Sequence, residues 1–175
     1  MEIFEKITAG TRLEADSIGT LEVPEDAYYG VQSLRAKRNF PITGTGLHPL
    51  VIRNLARIKL AAAETNKKSG KLKPEKADAI AKACREIMRG RLTESFIVDG
   101  IQGGAGTSAN MNANEVVANR AIELLGGKKG DYSVIHPNDD VNMCQSTNDV
   151  IPTCGKLTAL DLLSVLDGEL EALAD

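Results

Sequence analysis

Apolar residues recur at helical spacing in four stretches of the chain. Between Pro49 and Lys67, Val51, Leu55, Ile58 and Ala62 fall on one face, which predicts a helix closed by Gly70. Pro74 opens a second helix at a first-turn position, where a missing N–H costs nothing. Its stripe runs through Ala77, Ile80, Ala81, Cys84, Ile87 and Met88 and stops at Gly90. A third helix follows 103-GGAGTSAN-110 and ends at Gly126-Gly127. Asn112, with Glu115 three residues on, has the form of a capping box at its start, and Thr107, Ser108 and Asn110 are rival caps. The fourth helix is expected from about Thr153 and carries Leu157, Leu160, Leu163, Val165, Leu166, Leu170 and Leu173. It reaches Asp175 with Gly168 as its one breaker and no cap, and its apolar positions are spread widely enough to need partners. That is the pattern of a longer helix cut by the end of the sequence, so a fragment is expected. Residues 1–47 carry no helical period and are expected to be irregular, with short extended stretches around Gly19–Val23 and Tyr28–Val31.

Composition narrows the class. A hydrophobic share of 42% with 26% charged residues in 175 positions fits a globular domain plus part of a second. Aromatic residues make up 3%, so aliphatic and small side chains must form the core, which suits helix-on-helix packing. A net charge of −3 leaves no footprint for nucleic acid. The basic run 67-KKSGKLKPEK-76 is broken by Gly and Pro and reads as a solvated connection between helices. Three cysteines without CxxC spacing argue against a disulfide framework or a zinc site, and Cys84 falls on an apolar face. No run is long enough to span a membrane, and the acidic start lacks a secretory h-region. A mainly α, cytoplasmic protein with no nucleic-acid or membrane partner is expected.

Candidate chemistry sits in two polar stretches, 103-GGAGTSAN-110 and 136-HPNDDVNMCQSTNDVIPT-153. Glycines let backbone N–H groups approach a ligand, and a helix N-terminus after them favours an anion. Helix capping without a ligand accounts for such clusters as well. A P-loop is excluded because no lysine follows the glycines. Gly104, Gly106 and Ala109 formally meet the dinucleotide spacing, but the residues after Gly127 do not supply the required strand. The two stretches together would form a small pocket of fixed donors with little net charge. Such a pocket suits a small carboxylate, and above all an intermediate carrying two negative charges on one carboxylate. Asp139, Asp140 and Asp149 are spaced as turn and cap residues, and no metal is expected. Asn112 and Asn119, seven apart on one helix face, are expected to tie loops together; Cys144 is read as a packing residue and His48 as a surface one.

These two stretches, with 12-RLEADSIGTLEVPEDAYYGVQSLRA-36, resemble the N-terminal half of the aspartase/fumarase superfamily, in the right order along the whole chain. Gly103-Gly104-Ala105-Gly106-Thr107-Ser108, Ser146-Thr147-Asn148-Asp149 and Tyr28-Tyr29-Gly30 have the aspartate ammonia-lyase form. His136-Pro137-Asn138-Asp139 is more familiar from class II fumarate hydratases, where the histidine belongs to a secondary anion site. The resemblance implies a lyase domain over 1–146 and the truncated start of a central helical-bundle domain over 147–175. It further implies a homotetrameric parent enzyme without a cofactor that eliminates ammonia from L-aspartate. That reaction is an anti elimination through an aci-carboxylate dianion, giving fumarate; hydration of fumarate is the alternative. By the same resemblance Thr107, Ser146 and Thr147 donate to substrate carboxylates and Asn148 contacts the amino group. Arg35 is a further substrate-binding candidate, and His136 a candidate for the secondary anion site. No catalytic residue is assigned on this chain. The family's base is a serine in a Gly-Ser-Ser loop, this sequence has no Ser-Ser pair, and an inert folded domain is what the chain alone should be.

Overall fold

The computed structural model describes residues 10–174. Two strands, β1 (Thr11–Ala15) and β2 (Thr20–Pro24), form an antiparallel hairpin pairing Thr11 with Pro24 and Ala15 with Thr20. β2 matches the expected extended stretch, whereas β1 lies where irregular chain was expected. Its large apolar side chain, Leu13, faces solvent, and its buried residue is Glu14, so the strand has no hydrophobic period to read. Asp16 Oδ1 closes the turn by accepting the N–H groups of Ile18 and Gly19 at 2.9 and 3.0 Å. The Arg12 guanidinium then pins the following loop, donating to the carbonyls of Pro24, Glu25, Ala27 and Tyr29.

No strand forms at Tyr28–Val31. Gly30 instead precedes α1 (Val31–Asn39), whose first turn carries no acid of its own. Two distant carboxylates take its free N–H groups. Glu14 Oε2 accepts from Val31 at 2.9 Å, and Glu115 accepts from Gly30, Gln32 and Ser33 at 2.9–3.0 Å and from the Ser33 hydroxyl. Burial holds the Glu115 carboxyl above the usual carboxylate range, and these donors offset only part of that rise.

The remaining helices are α2 (Pro49–Lys68), α3 (Pro74–Met88), α4 (Thr107–Leu124) and α5 (Thr147–Ala174). α2 packs on α3, α3 and α1 pack on α4, and α5 returns along α2. Leu55, Ile80, Ile87, Val116, Val117, Ile122 and Ile135 fill the space between them. The α3 stripe and the glycine stops at 70, 90 and 126, all with positive φ, are as expected. On α2 the buried face is turned by one residue, running through Ile52, Leu55, Ala56, Lys59 and Ala63, with Val51, Ile58 and Ala62 on its flank. A stripe centred on a lysine escapes a count of apolar residues. His48 is exposed and caps α2, its Nδ1 accepting from the Leu50 N–H at 3.2 Å.

α4 starts at Thr107, one turn before the expected capping box, because Gly106 takes a φ of 81° and turns the chain into the helix. Asn112 and Glu115 therefore lie inside α4. Twelve of its residues are buried, four of them asparagines. Asn112 donates to the Ser95 carbonyl at 3.0 Å, and Asn119 to the Tyr28 carbonyl at 2.9 Å while accepting from Gly130 at 2.7 Å, so both tie loops to the core. α5 begins at Thr147, earlier than expected, and holds Pro152 within its second turn. Leu160, Leu163, Leu166, Leu170 and Leu173, each more than half exposed, stand clear of the other described residues. Cys144 is exposed, not packed, on a left-handed backbone (φ 57°).

Gly30 is the tightest joint of the fold, since a Cβ there would lie 2.6 Å from Glu14 Oε2 and 2.7 Å from Glu115 Oε1. Gly30→Ala should destabilise the chain by about 1–3 kcal/mol, the usual cost of overpacking a well-filled site. Urea unfolding against the parent chain measures it, and an unchanged midpoint would show that the cap gives way.

Candidate functional site

The two polar stretches meet where α4 and α5 begin. Asn110, in the first turn of α4, donates through Nδ2 to Thr147 Oγ1 at 3.2 Å, and Thr147 is the first residue of α5. Gly106 approaches α5 from the other side, where a Cβ would lie 3.1 Å from the Ile151 side chain. Two helix N-termini are therefore joined by one hydrogen bond, and their positive ends share a neighbourhood. Gln102 Oε1 takes the Ala109 N–H at 2.9 Å, and Ser146 Oγ takes the Asn148 N–H at 3.2 Å. The N–H groups of Thr107, Ser108 and Thr147 make no hydrogen bond among the described residues, and Thr107, Ser146 and Asn148 are exposed. Such an arrangement presents donors to an anion without supplying a fixed cation at its surface.

Beneath this surface lies a residue that the sequence reading missed. Lys59 is fully buried, and its ammonium donates to Asn110 Oδ1 at 2.8 Å, Asn142 Oδ1 at 2.6 Å and Gln145 Oε1 at 3.0 Å. One group thus ties α2 to α4 and to the loop that leads into α5. Each amide is held the right way round by its other contacts. Gln145 Nε2 donates to the Val141 and Met143 carbonyls, Asn142 Nδ2 to the Gln145 carbonyl, and Asn110 Nδ2 to Asn142 and Thr147. Burial pushes the Lys59 pKa down to about 7. Three acceptors that only an ammonium can satisfy at once oppose that shift. Cys84 lies close by, also fully buried, with its thiol pushed up to about 12 by burial. The signal available in the sequence was a lysine four residues after Leu55 and four before Ala63, in the middle of an apolar face, with amide-rich loops elsewhere.

The other candidates lie apart from this joint. Arg35 forms a two-pronged pair with Asp16, both contacts at 3.0 Å, and lines a surface hollow of about 240 Å3 with Gln32, Phe40 and Ser108. His136 precedes a π-helical turn (Pro137–Val141), and its Nδ1 accepts the N–H groups of Asn138 and Asp139 at 3.2 and 3.1 Å. Asp140, in that turn, accepts from the His136 N–H and pairs with Lys76 at 2.7 Å. Among the described residues no three His, Cys, Asp or Glu side chains gather as a metal site, and no helix is long and apolar enough to cross a membrane.

Comparison with known proteins places this geometry among lyases. A family described as Lyase matches residues 19–175. Aspartate ammonia-lyase of Pseudomonas aeruginosa is 52% identical over 172 residues, covering 95% of this chain and 36% of the relative. Class II fumarate hydratase of Halobacterium salinarum is 51% identical over 152 residues, covering 87% of this chain and 32% of the relative. The crystal structure of fumarate lyase:delta crystallin from Brucella melitensis in native form superposes with a TM-score of 0.85 at 55% identity. It covers 86% of this chain and 36% of that structure. The chain spans about a third of the length of these relatives.

The depressed Lys59 pKa sets a pH dependence. The folded chain releases that proton near 7 and the unfolded chain holds it to about 10.5. The unfolded state therefore binds more protons in between, and this group's contribution to stability rises with pH across the interval. The unfolding free energy of the parent minus that of Lys59→Met should accordingly rise between pH 7 and 9 in urea titrations. A flat difference would mean that the three acceptors keep the lysine charged throughout.

Proposed function

The chain belongs to this lyase family, and from that premise we propose that the whole protein eliminates ammonia from L-aspartate to give fumarate. The observation that carries the reading is the Asn110–Thr147 joint, which sets two helix N-termini and their exposed hydroxyl and amide groups side by side. It is supported by aspartate ammonia-lyase relatives at about half identity over nearly all of this chain. We assign residues 1–146 to an N-terminal lyase domain and 147–175 to the first part of a central helical bundle. The exposed leucines of α5 are what packing within such a bundle would cover, and a homotetramer in the cytoplasm is the proposed setting.

In this reading the substrate lies against the first turns of α4 and α5. Thr107, Ser146 and Thr147 donate to its carboxylates, and Asn148 contacts the amino group. A base takes the proton from the carbon next to the β-carboxylate, and the electron pair moves into that carboxylate to form an aci-carboxylate dianion. The dianion then expels the amine on the opposite face. Donors fixed where charge develops lower the barrier most, because they need not reorganise as it forms. No base is assigned on this chain, and neither a cofactor nor a metal enters the scheme. Arg35 stands as a second carboxylate donor at the hollow it shares with Ser108, and His136 as a candidate in a secondary anion site.

Hydration of fumarate is the second reading, favoured by His136-Pro137-Asn138-Asp139 and by the fumarate hydratase relative. The whole protein should form fumarate from aspartate, and aspartate from fumarate with ammonia, but no malate from fumarate. Malate without aspartate would reverse the assignment. Thr147→Val in the whole protein should lower kcat by about a hundredfold or more, as loss of one such donor does elsewhere. The 175-residue chain alone should give no fumarate absorbance with aspartate. Turnover by it would place a base within these residues.

A further inference from the structure

In its protonated form Lys59 is a buried cation whose hydrogen-bond partners are all neutral amides. A charge so placed is costly to bury, since no carboxylate within hydrogen-bond reach compensates it. A methionine of similar length would fill the same space without that cost. What the ammonium does that an apolar side chain would not is fix the Asn110 amide. Asn110 Oδ1 must face Lys59, so its Nδ2 hydrogens face Asn142 Oδ1 and Thr147 Oγ1, each at 3.2 Å. Thr147 Oγ1 is thereby an acceptor on its protein side. Its own O–H has no acceptor among the described residues, and as the first residue of α5 it has no carbonyl of its own helix behind it. The hydroxyl proton is left to point outward.

We propose that Lys59 is a positioning residue for the reaction: through Asn110 it fixes the Thr147 hydroxyl as an acceptor toward the protein and a donor toward the substrate. The inference rests on the assignment of Thr147 to substrate binding. The chain of bonds runs from ammonium to amide to hydroxyl in one direction, and each link polarises the next. A dianion forming against Thr147 therefore meets a hydroxyl whose donor direction is already set and whose supporting charge is positive. The uncompensated buried charge is offset most when that dianion is present. Binding and transition-state stabilisation thus draw on a cation that never touches the substrate.

The test is a pair of double-mutant cycles in the whole protein. Lys59→Met removes the cation. Asn110→Asp keeps an acceptor for Lys59 but removes the donor to Thr147, so it holds the network together where Lys59→Met fails to fold. Each is measured with Thr147 present and with Thr147→Val, reading kcat/KM for aspartate and the melting temperature. With Thr147 present, each change should lower kcat/KM by about tenfold or more. In the Thr147→Val background each should cost no more than about twofold, because the hydroxyl it orients is gone. Equal losses in both backgrounds would overturn the inference, making Lys59 and Asn110 structural and the charge of Asn110→Asp a general repulsion. An unchanged kcat/KM in Thr147→Val alone would instead remove Thr147 from the site, and this inference with it.

Discussion

A buried ammonium ringed by three amide oxygens leaves α2, α4 and the loop before α5 with one mutual arrangement. Apolar burial has no direction, so by itself it tolerates a slide that buries the same area. Hydrogen bonds to a shared cation do not, since each oxygen must stay near 2.6–3.0 Å and the three donors diverge. A shift of α4 along α2 would leave a buried charge or a buried carbonyl unpaired, each costing more than the slide could return. Lys59 thus sets the register in which the first turns of α4 and α5 meet.

The same device recurs midway along α4, at Glu115. Glu115 and Glu14 replace the cap that α1 lacks, and Gly30 is the only residue that lets them approach its N-terminus so closely. On either side of Glu115, Asn112 and Asn119 hold the chain near Ser95 and near Tyr28 and Gly130. α4 is thus a central rod whose buried polar side chains hold distant segments, while Val116, Val117, Ala121 and Ile122 fill the core around them. On the adjoining α3 edge, Arg120 pairs with Glu86 and with Glu123, which also accepts the Tyr28 hydroxyl. Asn114 alone departs from this rule, its Oδ1 being buried without a partner.

Elements whose burial is apolar were legible in the sequence. The α3 stripe, the glycine stops and the helical class follow from periodicity and turn chemistry, and the two polar stretches were readable as helix entrances. Of the features that rest on buried polar groups, the loop ties of Asn112 and Asn119 were legible and the others were not. β1 hides a glutamate and shows a leucine to water; α2 turns a lysine inward; and Asn112 and Glu115 imitate a capping box while serving partners 14 to 85 residues away. Local pattern cannot distinguish an asparagine that caps its own helix from one that braces a distant loop, because both are short amides near a helix start. The two polar stretches that hold Thr107 and Ser146–Asn148 stood out as donor-rich, and the substrate roles proposed for these residues come from the family resemblance alone. Lys59, which holds Asn110, Asn142 and Gln145 beneath these stretches, carried no such mark.

The proposed dicarboxylate site has the first turns of α4 and α5, braced from below by Lys59, as one wall. The most direct measurement is a crystal structure of the whole protein with succinate, a dicarboxylate that cannot undergo the elimination. Carboxylate oxygens are expected within hydrogen-bond reach of Thr107, Ser146 and Thr147, with Asn110 still accepting from Lys59 and donating to Thr147. Succinate bound away from these residues, or an Asn110 amide turned so that its oxygen faces Thr147, would contradict that proposal.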